Sequence, residues 1–158
     1  MKKVVVSVTN DLVTDQRVIR TIEVLIELGY DVILVGRLLP ESLAINCSYK
    51  TVRFKLLFTK GFLFYANYNI RLFFFFIVNK YDIYLSNDLD TLLPNYLVSN
   101  WRSKPLVYDS HEYFTGVPEL LNHPFKRKFW LTIEKYIFPK LKDIITVNDS
   151  IAKLYTNE

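Results

Sequence analysis

Short apolar segments alternate with amphipathic ones along the whole chain. Residues 4–8 form a β-branched run broken only by Ser7, which is typical of a central parallel strand covered on both faces. Further strands are predicted over 31–35, 52–56, 83–85, 105–108 and 144–147. Helical spacing of apolar residues predicts helices over 61–79, 90–102 and 124–141. Two more helices are predicted, an early one capped by Asp15 and a last one capped by Ser150.

Six strands separated mainly by helices predict an α/β fold, a Rossmann-like doubly wound parallel sheet with helices on both faces. Its usual strand order is 3-2-1-4-5-6, which makes the first and fourth strands neighbours at the switch point. The alternation over 52–56 predicts that the third strand lies near a sheet edge. Ligands of such sheets bind beyond the carboxyl ends of the strands, so loops 9–15, 86–90 and 109–117 are expected to line a crevice.

Polar residues follow the first and fourth strands. Asn10 and Asp11 precede a helix N-terminus, which can accept an anion or a hydroxyl-rich ligand. Asp15 is interpreted as a helix cap, whereas a turn and a ligand contact both stay open for Asn10 and Asp11. After the fourth strand, one of Asp88 and Asp90 is expected to cap the next helix while the other faces the crevice.

One of the two histidines follows the fifth strand directly. His111 is flanked by Asp109 and Glu112, and either carboxylate can orient the ring or raise its pKa. A structural role is the alternative, but the position at a strand end favours a functional one. His123, which precedes Pro124 at a helix start, is interpreted as structural.

Composition excludes several classes of function. The chain has 158 residues, 51% of them apolar, and a net charge of +4, which allows an anionic partner but matches no nucleic-acid module. Two histidines and one cysteine give no zinc-cluster spacing, and the lone Cys47 fits a reducing compartment. Only four glycines occur, so neither G-x-G-x-x-G nor a P-loop is present and NAD or ATP bound in the usual way is not expected.

Two segments raise the question of a membrane. The stretch 61–78 contains Asn67, Asn69 and Arg71, and its longest apolar run, 72–78, is far short of the ~20 residues of a spanning helix. We interpret it as a buried or interfacial helix. The helix at 124–141 mixes aromatic and basic residues; an ordinary amphipathic helix is favoured, and an anionic membrane surface stays the alternative for its basic cluster. The apolar run at 4–8 is too short for a secretory signal, so a cytoplasmic protein is expected.

Several segments together carry a resemblance to a known family. They are residues 10–12, 14–17, 29–32, 35–37, 87–88, 108–112 and 144–148. In combination they resemble the N-terminal, acceptor-side domain of bacterial family-4 GT-B glycosyltransferases. The resemblance covers nearly the whole chain, so residues 1–158 are expected to form one Rossmann-like domain, which is one half of a GT-B fold.

The resemblance implies a metal-independent, retaining transfer of a sugar from a nucleotide-sugar to a glycan or lipid-linked acceptor, with no cofactor and no nucleic-acid partner. It implies a cytoplasmic enzyme, peripheral on the inner face of the membrane. It assigns the catalytic position beside the transferred sugar to His111. Acceptor-binding or cleft-lining roles fall to Asn10, Asp11, Asn87, Asp88, Asp109 and Glu112.

Two features depart from the family pattern. The first loop lacks the Gly-Gly of many relatives, and no two glutamates stand eight positions apart as in the donor-site motif E-x7-E. We therefore expect the nucleotide-sugar to be bound mainly by a second domain, and this chain alone to be inactive. A non-enzymatic module that docks on a membrane or a partner through 62–76 and the basic helix is the alternative. A stand-alone nucleotide or nucleotide-sugar binder is a weaker one.

Overall fold

A computed structural model describes residues 1–13 and 15–156, without the side chain of Glu119. The strands are Lys3–Asp11 (β1), Asp31–Leu38 (β2), Lys50–Lys55 (β3), Ile83–Asn87 (β4), Leu106–Ser110 (β5) and Asp143–Thr146 (β6). The α-helices are Gln16–Glu27 (α1), Gly61–Val78 (α2), Leu89–Trp101 (α3), Pro118–Leu121 (α4), Pro124–Ile137 (α5) and Asp149–Thr156 (α6). Two 3₁₀ turns, Phe114–Gly116 and Phe138–Lys140, flank α4 and α5.

The strands form one parallel sheet in the order β3-β2-β1-β4-β5-β6. The predicted α/β class and strand order are therefore confirmed. The edge position of β3 is confirmed as well, and β6 forms the opposite edge of the described sheet. Ile144 and Ile145 of β6 are exposed.

Helices cover both faces of the sheet. On one face, Val18 and Ile22 of α1 pack against β1 and β2 side chains such as Val6 and Leu34. On the other face, α2 and α3 pack against alternate residues of the same strands, and α5 packs beside α3. Burial on both faces is why the central strands are continuously apolar.

β1 and β5 both extend further than the sequence pattern indicated. Between Ser7 and Asp11 the register of β1 against β2 shifts, and Asp11 then pairs with Arg37. The bulged segment lies so close to β2 that a Cβ on Gly36 would stand 2.8 Å from the Asn10 carbonyl oxygen. Ser110 ends β5 instead of following it.

The ends of three helices test the cap predictions. Asp15 caps α1 as predicted, because its Oδ1 accepts a hydrogen bond from the Val18 N–H at 3.3 Å. The expected Ser150 cap is wrong: α6 begins at Asp149, and Oδ1 of Asn148 accepts from the Ile151 N–H at 2.9 Å. The helix predicted over 124–141 is shorter in the structure: α5 ends at Ile137 and a 3₁₀ turn follows it. Pro139 has no backbone N–H, so it cannot donate the hydrogen bond that would continue the α-helix.

By length and composition alone, α2 is long and apolar enough to cross a membrane. One of its faces, however, is part of the core: Phe64, Tyr68, Leu72 and Phe76 are at most 5% exposed. The Tyr68 hydroxyl donates to the Val8 carbonyl oxygen of β1 and lies 3.2 Å from the Val35 carbonyl oxygen of β2. α2 is therefore a core helix of this domain whose outer face remains apolar and exposed.

Candidate functional site

A polar cavity of about 260 Å³ opens at the carboxyl ends of β1 and β4. Its walls come mainly from the three loops that the sequence predicted, together with Val8 of β1, Arg17 of α1 and Tyr65 of α2. They are formed by Val8, Thr9, Asn10, Asp15, Arg17, Tyr65, Asn87, Asp88, Asp90, Glu112 and Phe114. The cavity lies at the topological switch point, where ligands of open α/β sheets bind.

The structure separates the predicted site residues into three groups. Asn10, Asn87, Asp88 and Glu112 line the cavity. His111 and Asp109 contact its wall through Asp88, as described below. Asp11 lies elsewhere: its carboxylate accepts a hydrogen bond from the Ser42 hydroxyl, on the segment that follows β2. Asp11 is the last residue of β1, so the turn interpretation is wrong for this residue.

His111 lies between two carboxylates. Its Nε2 is 3.4 Å from Oδ2 of Asp109, and its Nδ1 is 3.5 Å from Oδ2 of Asp88. Hydrogen bonds to the Asp109 carboxylate, which has the larger effect, and to the Asp88 carboxylate raise the pKa of His111 to about 9. Burial acts in the opposite direction. The ring is therefore an imidazolium at neutral pH, which donates from both nitrogens and cannot act as a general base.

Asp88 holds an unusual backbone conformation. Its φ is +59° and its ψ is 168°, a region that side-chain-bearing residues rarely adopt. In this conformation its N–H donates to the Asp109 carbonyl oxygen, and its Oδ1 accepts from the His111 N–H, both at 2.9 Å. Asp88 thus ties the end of β4 to the end of β5.

The expectation that Asp88 or Asp90 caps α3 through its side chain is wrong, whereas the expectation that the other one lines the cavity is confirmed. Asp88 stands at the N-cap position without a side-chain cap bond, because its carboxylate is turned toward His111. Asp90 lies inside the first turn, and its Oδ2 accepts from the Thr9 hydroxyl at 2.5 Å. Both carboxylates line the cavity.

Asp90 is buried, and burial raises its pKa to about 7. The effect of burial is larger than that of the Thr9 hydrogen bond, which lowers the pKa. Its backbone carbonyl accepts from Nδ2 of Asn69 at 2.8 Å, which fixes α2 against the start of α3. The cavity therefore contains a carboxyl group that is partly protonated at neutral pH, beside the carboxylates of Asp88 and Glu112.

Amide groups complete the cavity. Nδ2 of Asn10 donates to Oδ2 of Asp15 at 3.3 Å, so the helix cap also positions Asn10. Nδ2 of Asn87 donates to the Ser7 carbonyl oxygen at 3.2 Å. Oδ1 of Asn87 is buried and has no hydrogen-bond partner within the described part of the chain.

A polar stripe on α3 supports Asn87 and escaped the sequence analysis. Nδ2 of Asn95 donates to the Ser7 hydroxyl at 2.7 Å, and the Thr91 hydroxyl lies 2.7 Å from that of Ser86. The signal was the i, i+4 spacing of polar positions 91, 95 and 99, which places them on one face of a helix. That face points at the sheet, where all three side chains are buried.

Among the described residues, no group of three or more His, Cys, Asp or Glu side chains is arranged to hold a metal ion. Aspartates 88, 90 and 109 are instead committed to hydrogen bonds and ion pairs with Thr9 and His111.

By sequence, no family model and no curated protein matches the chain. Solved structures do match. A sucrose-phosphate synthase from Thermosynechococcus elongatus has 11% identity and a TM-score of 0.68, with 96% of this chain and 79% of that chain covered. A putative UDP-N-acetylglucosamine 2-epimerase from Listeria monocytogenes has 13% identity and a TM-score of 0.59, covering 98% and 41%. SsfS6, a Streptomyces sp. SF2575 glycosyltransferase, has 11% identity and a TM-score of 0.51, covering 90% and 47%.

At such identities, the likeness shows the fold alone. The chain has a Rossmann-like α/β fold of the kind that GT-B structures contain. It spans less than half the length of the epimerase and of SsfS6. The assignment to family 4 stays a prediction.

Proposed function

We propose that the chain is the acceptor-side half of a glycosyltransferase that moves a sugar from a nucleotide-sugar to a glycan or lipid-linked acceptor. The observation that carries this proposal is the polar cavity at the switch point of a GT-B-like domain. Retention of anomeric configuration, independence of metal and membership of family 4 belong to the same proposal, and they rest on the sequence resemblance. The nucleotide-sugar is then held mainly by a second domain.

The chemistry of the cavity suits an acceptor rich in hydroxyl groups. Carboxylates accept hydrogen bonds from hydroxyls, and amides both donate and accept. Asp88 and Glu112 supply carboxylates to the cavity, and Asn10 supplies an amide. A few such polar groups fix the orientation of a ligand in its site.

His111 has a defined place in this proposal. Its side chain is 4% exposed, and both ring nitrogens face carboxylates. Contact with the transferred sugar therefore requires the Asp88 carboxylate to turn away from Nδ1. The positive charge of the ring then becomes available beside the reacting groups, where it stabilises the charge of the departing diphosphate.

The test of the proposal is sugar transfer by the intact enzyme, with a panel of nucleotide-sugars and glycan acceptors. We expect transfer with retained configuration, read by NMR of the product, and we expect it to survive chelation of divalent metals. We expect residues 1–158 alone to be inactive, because stabilisation of the leaving diphosphate needs the donor domain. Inversion, loss of transfer on chelation, or turnover by the isolated chain would each contradict the corresponding part.

A second candidate is favoured by the exposed apolar face of α2, which includes Leu63, Ile70 and Phe74. On α5, Phe125 is 90% exposed and adjoins Lys126, Arg127 and Lys128. These surfaces suit a non-enzymatic module that docks on a membrane or a partner, and equally an enzyme that is peripheral on the cytoplasmic face of a membrane. Sedimentation with liposomes tests membrane docking: we expect binding that requires anionic lipid and is lost at high salt.

A further inference from the structure

A second cavity lies beside the polar one and has the opposite character. Its volume is about 540 Å³, within the usual range for small-molecule sites of about 300–1,000 Å³. It is enclosed by the first turn of α2, the segment 112–123 and one face of α5. Most of its wall is apolar, formed by Phe62, Tyr65, Phe114, Leu120, Phe129 and Trp130.

The aromatic side chains hold one another in place. Phe62 meets Phe129 edge-on at 5.2 Å between ring centroids, and Phe129 meets Trp130 at 5.2 Å. The ring of Trp130 also contacts Tyr65 at 5.3 Å and Phe114 at 5.4 Å, again edge to face. Such pairs are stabilising beyond the area they bury, so this wall is formed before any ligand arrives.

The two cavities adjoin. Tyr65, Glu112 and Phe114 line both of them. The two cavities are therefore neighbours. A ligand that spans these three residues would place a polar group among the carboxylates and amides at the strand ends and an apolar group against the aromatic wall. Lys126 lines the apolar cavity and places a cation there, which suits an anionic group.

We infer that the acceptor is an amphiphile: a hydroxylated head group occupies the polar cavity and its hydrocarbon chain occupies the aromatic cavity. The inference rests on the proposed function and narrows its acceptor from a glycan or a lipid-linked glycan to the lipid-linked kind. Lys126 is then placed to contact an anionic linker between head group and chain. A hydrocarbon chain gains from the whole apolar wall, because burial of each methylene is favourable.

The experiment titrates the chain with maltose and with alkyl maltosides of increasing chain length, each below its critical micelle concentration. Trp130 fluorescence is the signal, in a Trp101→Phe background that removes the exposed second tryptophan. We expect a saturable response to the alkyl maltosides, with affinity rising by up to roughly fourfold per methylene, and no response to maltose at the same concentrations.

Phe62 and Leu63 provide a matched pair of variants. They are neighbours on α2 with similar exposure, 52% and 54%, but only Phe62 is part of the described cavity wall. We expect Phe62→Ala to weaken alkyl maltoside binding at least fivefold, and Leu63→Ala to leave it unchanged. Because both side chains lie at the surface, both variants are expected to fold.

Four results would overturn the inference: no binding of the alkyl maltosides, affinity independent of chain length, equal loss in both variants, and a dimer in light scattering that Phe62→Ala dissociates. The last would mean that a second copy of the chain covers the cavity. If the alkyl maltosides fail to bind while the intact enzyme still transfers sugar, the inference falls and the proposed function stands. If they bind but no transfer is found with any acceptor, the proposed function falls and the amphiphile site stands.

Discussion

Asp88 holds His111 twice: one carboxylate oxygen accepts from the His111 backbone N–H at 2.9 Å, and the other lies 3.5 Å from Nδ1 of the ring. The first contact fixes the backbone where β5 ends, and the second helps to keep the ring charged. A residue at the end of one strand thus controls both the position and the protonation of a residue at the end of the next.

Replacement of Asp88 by Asn tests this control. Asn keeps the size of the side chain and an oxygen for the His111 N–H but loses the charge, so we expect the pKa of His111 to fall by one unit or more. NMR titration of the ring measures it, in a His123→Gln background that leaves a single histidine. Asp82→Asn is the control, since the Asp82–Lys104 pair is exposed. An unchanged pKa in Asp88→Asn would remove Asp88 from this role.

The charge of His111 predicts how stability varies with pH. The folded-state pKa, about 9, exceeds the ordinary value of 6.5, so the stabilisation is fully present below pH 6.5 and is lost as pH rises through 9. The loss is on the order of 3 kcal/mol, at about 1.4 kcal/mol per pKa unit. Urea unfolding at pH 6 and pH 9.5 measures it. His111→Gln should lack this loss, and a parallel decline in the variant would contradict the assignment.

The raised pKa of Asp90 predicts a second loss of stability on raising the pH, in a lower pH range than that of His111. Burial raises its folded-state pKa from 3.8 to about 7, so the folded protein binds the proton more tightly, and stability falls as pH rises between these two values. In Asp90→Asn this loss disappears. We expect the variant to gain on the parent by up to about 4 kcal/mol between pH 4 and pH 8. Urea unfolding across that range checks it, and a difference that is independent of pH would count against it.

The close approach of β2 to the first loop predicts the effect of a single methyl group. In Gly36→Ala the new Cβ would lie 2.2 Å from Cδ2 of Leu12 and 2.8 Å from the carbonyl oxygen of Asn10. We expect destabilisation of about 1–3 kcal/mol and displaced Asn10 resonances. Gly29→Ala is the control: its φ of +83° makes alanine strained, yet nothing lies within 4 Å. It should cost stability without moving Asn10.

In the intact enzyme, His111→Gln should lower turnover by about 10²-fold or more, as expected for loss of a charged group near the reacting atoms. The acceptor KM should change little, because the cavity-lining groups remain. Steady-state kinetics at pH 6, on protein whose folding is verified by circular dichroism, separates this effect from instability. Unchanged turnover would remove His111 from the site.

The fold could be predicted from the sequence because continuous apolar strands and amphipathic helices have different periods. The positions of these strands and helices in turn predicted the Asp15 cap and the three loops that line the cavity. The Asp88–His111 pair could not be predicted, because it depends on the positive φ of Asp88, which no local pattern indicates. The aromatic cavity was equally hidden, since Phe62 and Trp130 are far apart in sequence and meet only when α2 and α5 pack on the same face of the sheet.

The two edges of the sheet differ in a way that affects how the protein can be handled. On β3, Arg53 and Lys55 alternate with apolar residues, and such charges discourage pairing with another strand. β6 instead presents exposed Ile144 and Ile145 beside backbone groups that face outward from the described sheet. Concentrated samples of these 158 residues should therefore self-associate by strand addition at β6. The substitution Ile145→Lys should keep them monodisperse.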